Sequence, residues 1–435
     1  MSVAGAAVAS RPPQQRRILI VGHTFPPDPA SVGQHVADVA RELARRGYEV
    51  LVITSASGYE DPSIRYPLRE TVDVGNGRSY RVRRLSFAGF GKKRIYLRVF
   101  GIASFQLQVL FRLLSTGRVA GIFFSSSPPL AGVSAGIANM LRGVPIAYWA
   151  MDLIPDELLV MGKLSETSPV ARILEAGNRF FLRRSALIVA LDRFMEQRLL
   201  RRGDFSSRML VMPPWPHESP HESPEDSAPV DQATNPFRVA HGLVGKRVIM
   251  YSGNHSPANP LRTLLDAAVT FKDDDRLRFV FVGGGSGKKE VNDCIAAHGL
   301  TNMLSLPYQP ISELRYSLSA GDVHVVSLGE RMAGVIHPCK VYGAMALGRP
   351  ILYVGPAPSH ISDLLAANGS GWHVAHGDVE GMRAKIATIL SHTDAELSSM
   401  GAAGASAVRE GLTQEILLNR LVDRLVQAFP LATRS

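Results

Sequence analysis

The chain has 435 residues, of which 46% are hydrophobic and 20% are charged. This length exceeds what one hydrophobic core usually supports and predicts two domains, while the composition excludes a disordered or fibrous chain. The formal net charge of +10 predicts an anionic partner, and two distant cysteines, Cys294 and Cys339, exclude a disulfide framework or a structural zinc site.

The first sixteen residues contain small side chains but no continuous apolar core ahead of their arginines, which is typical of a frayed tail rather than a signal peptide. The longest apolar stretch, from Val99, is interrupted by Gln106, Gln108 and Arg112, which argues against a transmembrane span. With its few cysteines, the chain is expected in a reducing cytoplasm. Any membrane contact should therefore be peripheral.

The first predicted element is a buried parallel strand at residues 17–23. A loop containing Ser31 and Gly33 follows, and then a helix with apolar residues at helical spacing that Gly47 ends. With the next strand, LVITS, this is a βαβ unit, in which ligands bind beyond the carboxyl ends of the strands. Further strands in GIFFSSS, PIAYWAMD, SALIVAL and MLVMPP extend a first domain over residues 1–216.

A polar, proline-rich segment with an HESP repeat predicts a linker or flexible loop at 217–236. The alternation of strands and helices then restarts and predicts a second Rossmann-like domain at 237–408. An amphipathic helix within 409–435 is expected to pack back on the first domain. The predicted class is α/β, with two Rossmann-like doubly wound domains that face each other across a cleft.

Two glycine-rich turns in the second domain favour phosphate binding. YSGNHSPANP, from Tyr251, is expected to join a strand to the start of a helix, where backbone N–H groups and the helix dipole attract anions. FVGGGSGKKE, from Phe281, meets the GxGxxG spacing only loosely and lacks a Walker lysine pattern. The alternative for the first turn is a simple strand–helix connection that requires Gly253.

The order and spacing of YSGN, FVGGG, LPYQP, GDVHVVSL, PCKVYGAMALGRPIL and SGWHV resemble the donor-binding domain of glycosyltransferase family 4, retaining enzymes with the GT-B fold. The first half also resembles this family, and residues 125–162 resemble its branch in bacterial polysaccharide and lipid-linked saccharide assembly. The resemblance extends from Arg17 to Val374. It implies a hexosyl- or N-acetylhexosaminyltransferase that uses a UDP- or GDP-sugar and a lipid-linked or saccharide acceptor, without cofactor or metal.

Donor-binding residues follow from the resemblance by position. Gly33 would approach the diphosphate or sugar, residues 253–256 would line the diphosphate from the other side, and residues 308–310 would surround the nucleobase. Lys340 would balance charge as the diphosphate leaves, unless it is a solvated lysine at a helix start. The predicted donor-binding residues are Gly33, Gly253, Asn254, His255, Ser256, Tyr308, Gln309, Gly334, His337 and Tyr342.

The family usually has two glutamates separated by seven residues, of which the second binds ribose hydroxyls of the donor, and these positions fall on Val335 and Gly343. Both carboxylates are missing, and nearby Glu330 is expected to be a surface loop residue. The backbone amides of Gly334 to His337 are expected to contact sugar or phosphate instead. The sequence therefore predicts a variant donor site.

Retention in this fold is commonly explained by front-face attack, in which the leaving phosphate helps to take the acceptor proton. The acidic candidates that could orient the acceptor hydroxyl are Asp152, Asp156 and Glu157, at the end of a first-domain strand. Asp152 and Glu157, with Lys340, are the predicted catalytic residues. Helix capping or turn formation is the alternative for the two acids, and His23 is either a polar contact or a loop histidine.

The basic, aromatic segment at 78–100, which includes Lys92, Lys93 and Arg94, predicts contact with an anionic membrane on the inner face of the plasma membrane. Its alternative is a solvated strand and helix face. Nucleic acid is not an expected partner. Two other functions stay open: a nucleotide-sugar epimerase of GT-B fold, and a catalytically degenerate GT-B protein that binds sugar nucleotides.

Overall fold

The structure is a computed structural model that describes residues 17–28, 30–58, 61, 63–86, 95–128, 130–216 and 230–429. The predicted N-terminal tail, residues 217–229 of the predicted linker, and the cations Lys92, Lys93 and Arg94 lie outside the described residues. Within the described ranges, no helix is both long enough and apolar enough to cross a bilayer.

The described chain divides into two compact units. The N-terminal unit contains residues 17–147, 184–186 and 422–429, and the C-terminal unit contains residues 148–183 and 187–421. Each unit contains parallel strands alternating with helices, which confirms the predicted α/β class with two Rossmann-like domains. The domain boundaries expected from the sequence stay predictions.

The N-terminal unit is built on parallel strands with one antiparallel edge. Its strands are β1 (Arg17–Val21), β2 (Glu49–Ser55), β3 (Arg69–Gly75), β4 (Arg78–Leu85) and β5 (Gly121–Ser125), in the order β3-β4-β2-β1-β5. Its helices are α1 (Ser31–Arg45), α2 (Ile95–Ser115) and α3 (Ala131–Arg142). The buried strand predicted at the start of the chain is confirmed, since β1 pairs in parallel with both β2 and β5.

Strand β4 corrects the interpretation of the basic segment. Residues Arg78–Leu85 pair with β2 in parallel and with β3 antiparallel, and Tyr80 and Val82 are buried. Arg84 is also buried, and its guanidinium donates to the carbonyl oxygens of Pro26 (2.7 Å) and Pro67 (3.0 Å). This half of the segment is therefore a strand of the sheet with Arg78, Ser79 and Arg81 exposed, and membrane contact of the segment stays a prediction.

The remaining strands begin with β6 (Ile146–Trp149) and β7 (Ser185–Ala190), which both cross the division between the units, and β8 (Met209–Val211). The C-terminal unit then has β9 (Arg247–Ser252), β10 (Leu277–Val282), β11 (Met303–Leu306), β12 (Val323–Ser327), β13 (Ile351–Val354) and β14 (Gly371–Val374). These last six strands form a parallel sheet in the order β11-β10-β9-β12-β13-β14. Strands β9, β10 and β13 of this sheet are almost entirely buried, which is typical of parallel strands covered on both faces.

The later helices are α4 (Asp156–Val160), α5 (Pro169–Arg184), α6 (Arg193–Leu200), α7 (Pro236–Ala240), α8 (Arg262–Ala268), α9 (Lys288–His298), α10 (Leu314–Ser319), α11 (Lys340–Ala346), α12 (His360–Asn368), α13 (Val379–Ser391), α14 (Asp394–Gly411) and α15 (Gln414–Ala428). The last part of the predicted linker is packed into the C-terminal unit at Asn235. This residue is fully buried and caps α7. Its side-chain amide donates to the Tyr316 carbonyl at 3.0 Å.

The end of the chain returns to the N-terminal unit. Asp423 of α15 forms an ion pair with Arg46 at 2.5 Å. Phe429 is 3% exposed, and its ring occupies the space where a Cβ on Gly121 of β5 would lie. Glycine is therefore required at position 121 for this contact.

Candidate functional site

The order of the six-stranded sheet reverses between β9 and β12, which lie side by side. In an open parallel sheet, ligands bind in the crevice outside the carboxyl ends of the strands at such a switch point. Residues 253–256 follow β9, and residues 328–339 follow β12 and lead into α11. The topology therefore brings most of the predicted donor-binding residues of this unit to one edge of the sheet.

Lys340, at the first position of α11, contacts the loop after β9. Its ammonium donates to the Tyr251 hydroxyl at 2.6 Å, lies 3.3 Å from the Asn254 carbonyl oxygen, and lies 4.0 Å from the centroid of the Tyr251 ring. Gly253 has φ +129°, and a Cβ there would lie 2.5 Å from Cε of Lys340. The loop therefore needs glycine at 253 both for its backbone and for the lysine to fit.

The surroundings of Lys340 are electropositive. Burial lowers the pKa of Lys340 to about 7 and that of Lys288 to about 8. The Lys288 ammonium donates to the carbonyls of Phe281 (2.8 Å) and Leu306 (2.6 Å). In the part of the chain that the structure describes, neither ammonium has a carboxylate partner. An anion bound here would favour the charged form of both lysines.

His255 lies between these lysines. Burial, followed by the charges of Lys288 and Lys340, lowers its pKa to about 4. The side chain is fully buried, and neither ring nitrogen has a hydrogen-bond partner among the described residues. Its backbone is bonded to the second glycine-rich turn, since its N–H donates to Gly284 (2.7 Å) and its carbonyl accepts from Gly287 (2.9 Å). The two predicted phosphate loops thus form one packed structure.

The first glycine-rich turn joins β9 to a helix, as the sequence predicted. α8 starts at Arg262, so residues 253–256 lie in the loop ahead of it. A contribution of the α8 dipole to anion binding at this turn stays a prediction. The lysine side chains already described add positive charge near this loop.

Asp192 is the residue that sequence reasoning missed. It precedes α6, and its Oδ1 accepts the backbone N–H groups of Phe194 (2.9 Å) and Met195 (2.8 Å) as an N-cap. Its Oδ2 lies 2.8 Å from Nδ1 of His337, 145 residues further along the chain. The sequence LDRFMEQRLL contains a readable cap signal. No local pattern indicates the second contact.

Tyr342 extends this contact. Its ring is fully buried, and its hydroxyl lies 2.7 Å from Nε2 of His337 and 2.7 Å from Nε2 of His360. Burial raises the pKa of Tyr342 well above its ordinary value. The hydroxyl is thus bonded on both sides, and a direct donor contact of Tyr342 stays a prediction.

The loop at the first missing glutamate is tightly packed. Val335 is fully buried in an apolar cluster with Met332 and Val341. The N–H groups of Val335 and Ile336 donate to the Met332 carbonyl at 2.9 and 3.3 Å. The expectation that all the amides of Gly334 to His337 are available to a ligand was therefore wrong for these two, because the loop forms a turn on itself.

Two glycines near that loop, Gly334 within it and Gly343 in the following helix, differ in the space around them. Gly334 has φ +72°, and a Cβ there would lie 2.5 Å from the backbone of Phe194. Gly343, at the second missing glutamate, lies within α11 and is partly buried, and a Cβ there would have no atom within 4 Å. The structure thus has room for a side chain at 343.

Asp152 lies beside the same loop. Its backbone pairs with Ile336, and the following N–H, of Leu153, donates to the Val335 carbonyl at 2.9 Å. Burial, with a smaller effect of the nearby Glu157 carboxylate, raises the pKa of Asp152 to about 7. The group therefore exchanges a proton readily near neutral pH.

The two neighbouring acids occupy helix α4. Asp156 forms an ion pair with Arg202, which also contacts Glu175 at 3.0 Å. Glu157 lies in the first turn of α4 and is partly buried. Asp156 therefore stabilises the packing of α4, whereas a site role for Glu157 stays a prediction.

The remaining predicted residues are more dispersed. Gly33 lies in the first turn of α1 and not in the preceding loop, and a Cβ there would lie 3.0 Å from the backbone of Thr24 and Phe25. Tyr308 is 50% exposed, and a Cβ on Gly284 would lie 3.0 Å from its ring. The Ser256 hydroxyl accepts from the Asn259 side-chain amide at 3.0 Å, and the Gln309 side-chain amide donates to the Pro307 carbonyl at 3.0 Å. Burial lowers the pKa of His23.

Metal ligands were not expected in this site. Within the described ranges, no three histidine, cysteine, aspartate or glutamate side chains come close enough together to hold a metal ion. Metal independence of the reaction stays a prediction.

The chain was compared with known families and structures. The family model for the glycosyl transferase 4-like domain matches residues 31–215, and that for glycosyl transferases group 1 matches residues 246–392. The chain belongs to glycosyltransferase family 4. The predicted family and enzyme class are thereby confirmed.

Relatives support this assignment along the whole chain. The glycosyltransferase is 24% identical to the probable glycosyltransferase WbjE of Pseudomonas aeruginosa, over 93% of this chain and 96% of WbjE. It is 24% identical to the putative colanic acid biosynthesis glycosyl transferase WcaI of Escherichia coli K12, over 80% and 85% of the two chains. The structure of Anabaena HepE with UDP and glucose has a TM-score of 0.67 at 15% identity and 95% and 100% coverage, which confirms the GT-B fold.

Proposed function

We propose that this glycosyltransferase moves a sugar, with retention of anomeric configuration, from a UDP- or GDP-sugar to a lipid-linked saccharide or another polysaccharide precursor. The observation that carries the proposal is a pair of partly buried ammonium groups that have no carboxylate partner in the described chain: Lys340 at the sheet's switch point, and Lys288 at the carboxyl ends of the neighbouring strands β10 and β11. Binding of UDP by HepE and the colanic acid pathway of WcaI support the donor and acceptor classes.

The diphosphate is the group that this arrangement suits. In the transfer step, the bond between the sugar C1 and the phosphate oxygen breaks, and a bond from the acceptor oxygen to C1 forms. The acceptor proton passes to the leaving phosphate oxygen, so charge neutralisation at that oxygen determines the rate. Lys340 supplies this positive charge from a position fixed by Tyr251 and Asn254, which reduces reorganisation during the reaction.

Asp152 is the group we assign to the acceptor. Its carboxyl group would hydrogen-bond the acceptor hydroxyl while the proton passes to the leaving phosphate oxygen, and its backbone is fixed against Ile336. Glu157 lies in the next helix turn and contributes charge that helps to set the pKa of Asp152. In this reading Asp152 orients the acceptor, while Lys340 acts on the donor.

Incubation with a panel of UDP- and GDP-sugars and a polyprenyl-diphosphate-linked saccharide tests the proposal. We expect release of free nucleoside diphosphate and an extended acceptor, whose anomeric configuration proton NMR can assign. Tight donor binding without turnover would instead identify a degenerate binding protein, and an epimerised donor would identify an epimerase. Lys289→Met is a suitable control for Lys340→Met, because Lys289 is an exposed lysine of the same unit paired with Asp293.

The membrane partner is a separate part of the proposal. Phe100, Leu107 and Phe111 of α2 recur at helical spacing and are 61%, 68% and 64% exposed. The opposite face of this helix, with Phe105 and Val109, is fully buried. A helix at a water-facing surface normally has a polar outer face, so an apolar one on a chain of net charge +10 favours an anionic membrane surface on the cytoplasmic side.

Sedimentation with liposomes containing anionic lipid tests this partner. We expect Phe100→Ser/Leu107→Ser/Phe111→Ser to lose most of the bound fraction, while neutral liposomes bind the unchanged protein less well. Equal sedimentation of the variant and the unchanged protein would contradict the assignment of α2.

A further inference from the structure

We propose that Asp192 is a positioning residue of the donor site, which fixes the tautomer and orientation of His337 and thereby the loop from Gly334 to His337. The inference rests on the proposed function, because this loop contacts a donor only if the protein takes a sugar nucleotide. The inference also goes beyond the proposed function, because Asp192 lies far in sequence from the motifs that resemble the family.

The two oxygens of Asp192 have separate partners. Oδ1 accepts both cap N–H groups of α6, whereas Oδ2 faces His337 Nδ1 at 2.8 Å. Serine, threonine or asparagine would cap the helix about as well as aspartate. The cap alone therefore does not require a carboxylate. The two contacts together do, because both oxygens of an ionised carboxylate accept, whereas asparagine with its oxygen in the cap would present an NH₂ group to the imidazole N–H.

This acceptor fixes the direction of two further hydrogen bonds. When His337 carries a single proton, an ionised Asp192 places it on Nδ1, so that Nε2 accepts the Tyr342 hydroxyl proton at 2.7 Å. The Tyr342 oxygen in turn accepts from Nε2 of His360 at 2.7 Å. The chain thus runs from His360 through Tyr342 and His337 to Asp192, with every proton position determined by the carboxylate.

The electrostatics are consistent with that direction. Burial opposes ionisation of Asp192, but the hydrogen bond from His337 and the N–H of Met195 hold its pKa below the ordinary value. Burial lowers the pKa of His360, while Asp192 and Asp363 oppose this effect. Both shifts favour an ionised Asp192 and a neutral His360, as the direction of the chain requires.

Contacts with α6 and its N-cap hold the donor loop at two points. At one end, Gly334 lies against the Phe194 backbone, and Arg198 donates to the Ala333 carbonyl at 2.9 Å. At the other end, His337 is bonded to Asp192, with side-chain exposures of 0% and 2% respectively. The position of the family's first glutamate, Val335, lies between these points. Because no carboxylate is available there, the backbone and His337 of this loop must be placed by other contacts.

The variant Asp192→Asn separates capping from positioning. Asparagine keeps an oxygen for the cap but presents an NH₂ group to His337, which forces Nδ1 to accept and moves the proton to Nε2. The Nε2–H group of His337 then faces the O–H group of Tyr342, and two donors cannot share this hydrogen bond. We expect the thermal stability to stay nearly unchanged and the His337 tautomer to reverse in ¹⁵N–¹H spectra of histidine-labelled protein. The affinity for UDP or GDP should fall at least about tenfold. The His337→Gln spectrum assigns the resonance.

Two further variants complete the test. Asp192→Ser keeps a cap without a carboxylate and should also weaken nucleotide binding. Asp378→Asn is the matched control, because Asp378 caps α13 by accepting from Gly381 at 2.8 Å. It should leave binding and all tautomers unchanged.

The outcomes distinguish this inference from the proposed function. Unchanged nucleotide affinity in Asp192→Asn, or an unchanged His337 tautomer, would overturn the positioning role. If the unsubstituted protein binds neither UDP nor GDP, the proposed function fails, and the donor-site role fails with it. The spectra would then still decide whether Asp192 determines the tautomer.

Discussion

Restoring a glutamate at position 343 tests whether α11 faces the donor ribose. A Cβ on Gly343 has no atom within 4 Å, and glycine in a helix interior costs about 1 kcal/mol relative to alanine. Because glutamate is a slightly weaker helix former than alanine, Gly343→Glu should stabilise the protein by about 0.5 kcal/mol. For a unit of this size, that corresponds to a rise in Tm of about 1–2 °C.

The effect on donor binding should be larger. A hydrogen bond to a charged group contributes about 1.5–3 kcal/mol, so a carboxylate that reaches the ribose should tighten UDP binding by about 10-fold to 100-fold. Calorimetric titration with UDP measures this change, and the same titration with 2′,3′-dideoxy-UDP should show no gain.

Gly343→Ala is the matched control, because it changes the helix propensity without adding a carboxylate. It should raise Tm and leave the UDP affinity unchanged. If Gly343→Glu binds UDP no more tightly than Gly343→Ala, or if it tightens dideoxy-UDP equally, the inference that this helix position faces the ribose is wrong.

Three other predictions concern the same edge of the sheet. Val335→Glu should destabilise the protein by several kcal/mol in chemical unfolding without improving UDP binding, because it buries an unpaired carboxylate among apolar side chains; a stable variant would contradict the packing described for this loop. Binding of UDP should weaken as pH rises above about 7, because a bound anion raises the pKa of Lys340. The resulting gain in binding is complete at pH values below the pKa of Lys340 in the free protein, and it is lost as the pH rises through the pKa of Lys340 in the UDP complex. Lys340→Met should flatten this profile and reduce turnover by at least about 100-fold, whereas Lys289→Met should do neither. Asp152→Asn should reduce transfer by about 100-fold while UDP binding stays within about twofold, and unchanged kinetics would leave Asp152 with a structural role only.

The sequence predicted elements that depend on local pattern. β1 is a continuous apolar run, and the turn from Phe281 has glycines between a strand and a helix, so both could be located without a structure. β4 was read as a surface segment because arginines alternate with its apolar residues. Its Tyr80 and Val82 are buried where helix α1 packs against β4, and no local pattern reveals this contact.

The candidate site was predictable in its motifs but not in its contacts. Lys340 and Gly253 were each singled out, yet their close approach depends on the reversal of strand order between β9 and β12. Asp192 was missed, because its bond to His337 joins residues 145 positions apart. The burial of Val335 likewise follows from tertiary packing rather than from its own sequence neighbours.

The position of Phe429 has a consequence for how the protein is made. Its ring covers Gly121, so this side of β5 stays uncovered until the last part of the chain has been synthesised. Roughly 300 residues separate the two, and translation at about 5–20 residues per second takes about 15–60 s to cover them. The N-terminal unit is therefore the first to begin synthesis and the last to be completed. A nascent chain that stops short of Phe429 keeps this strand uncovered and open to misassembly, however much of the second sheet has already formed.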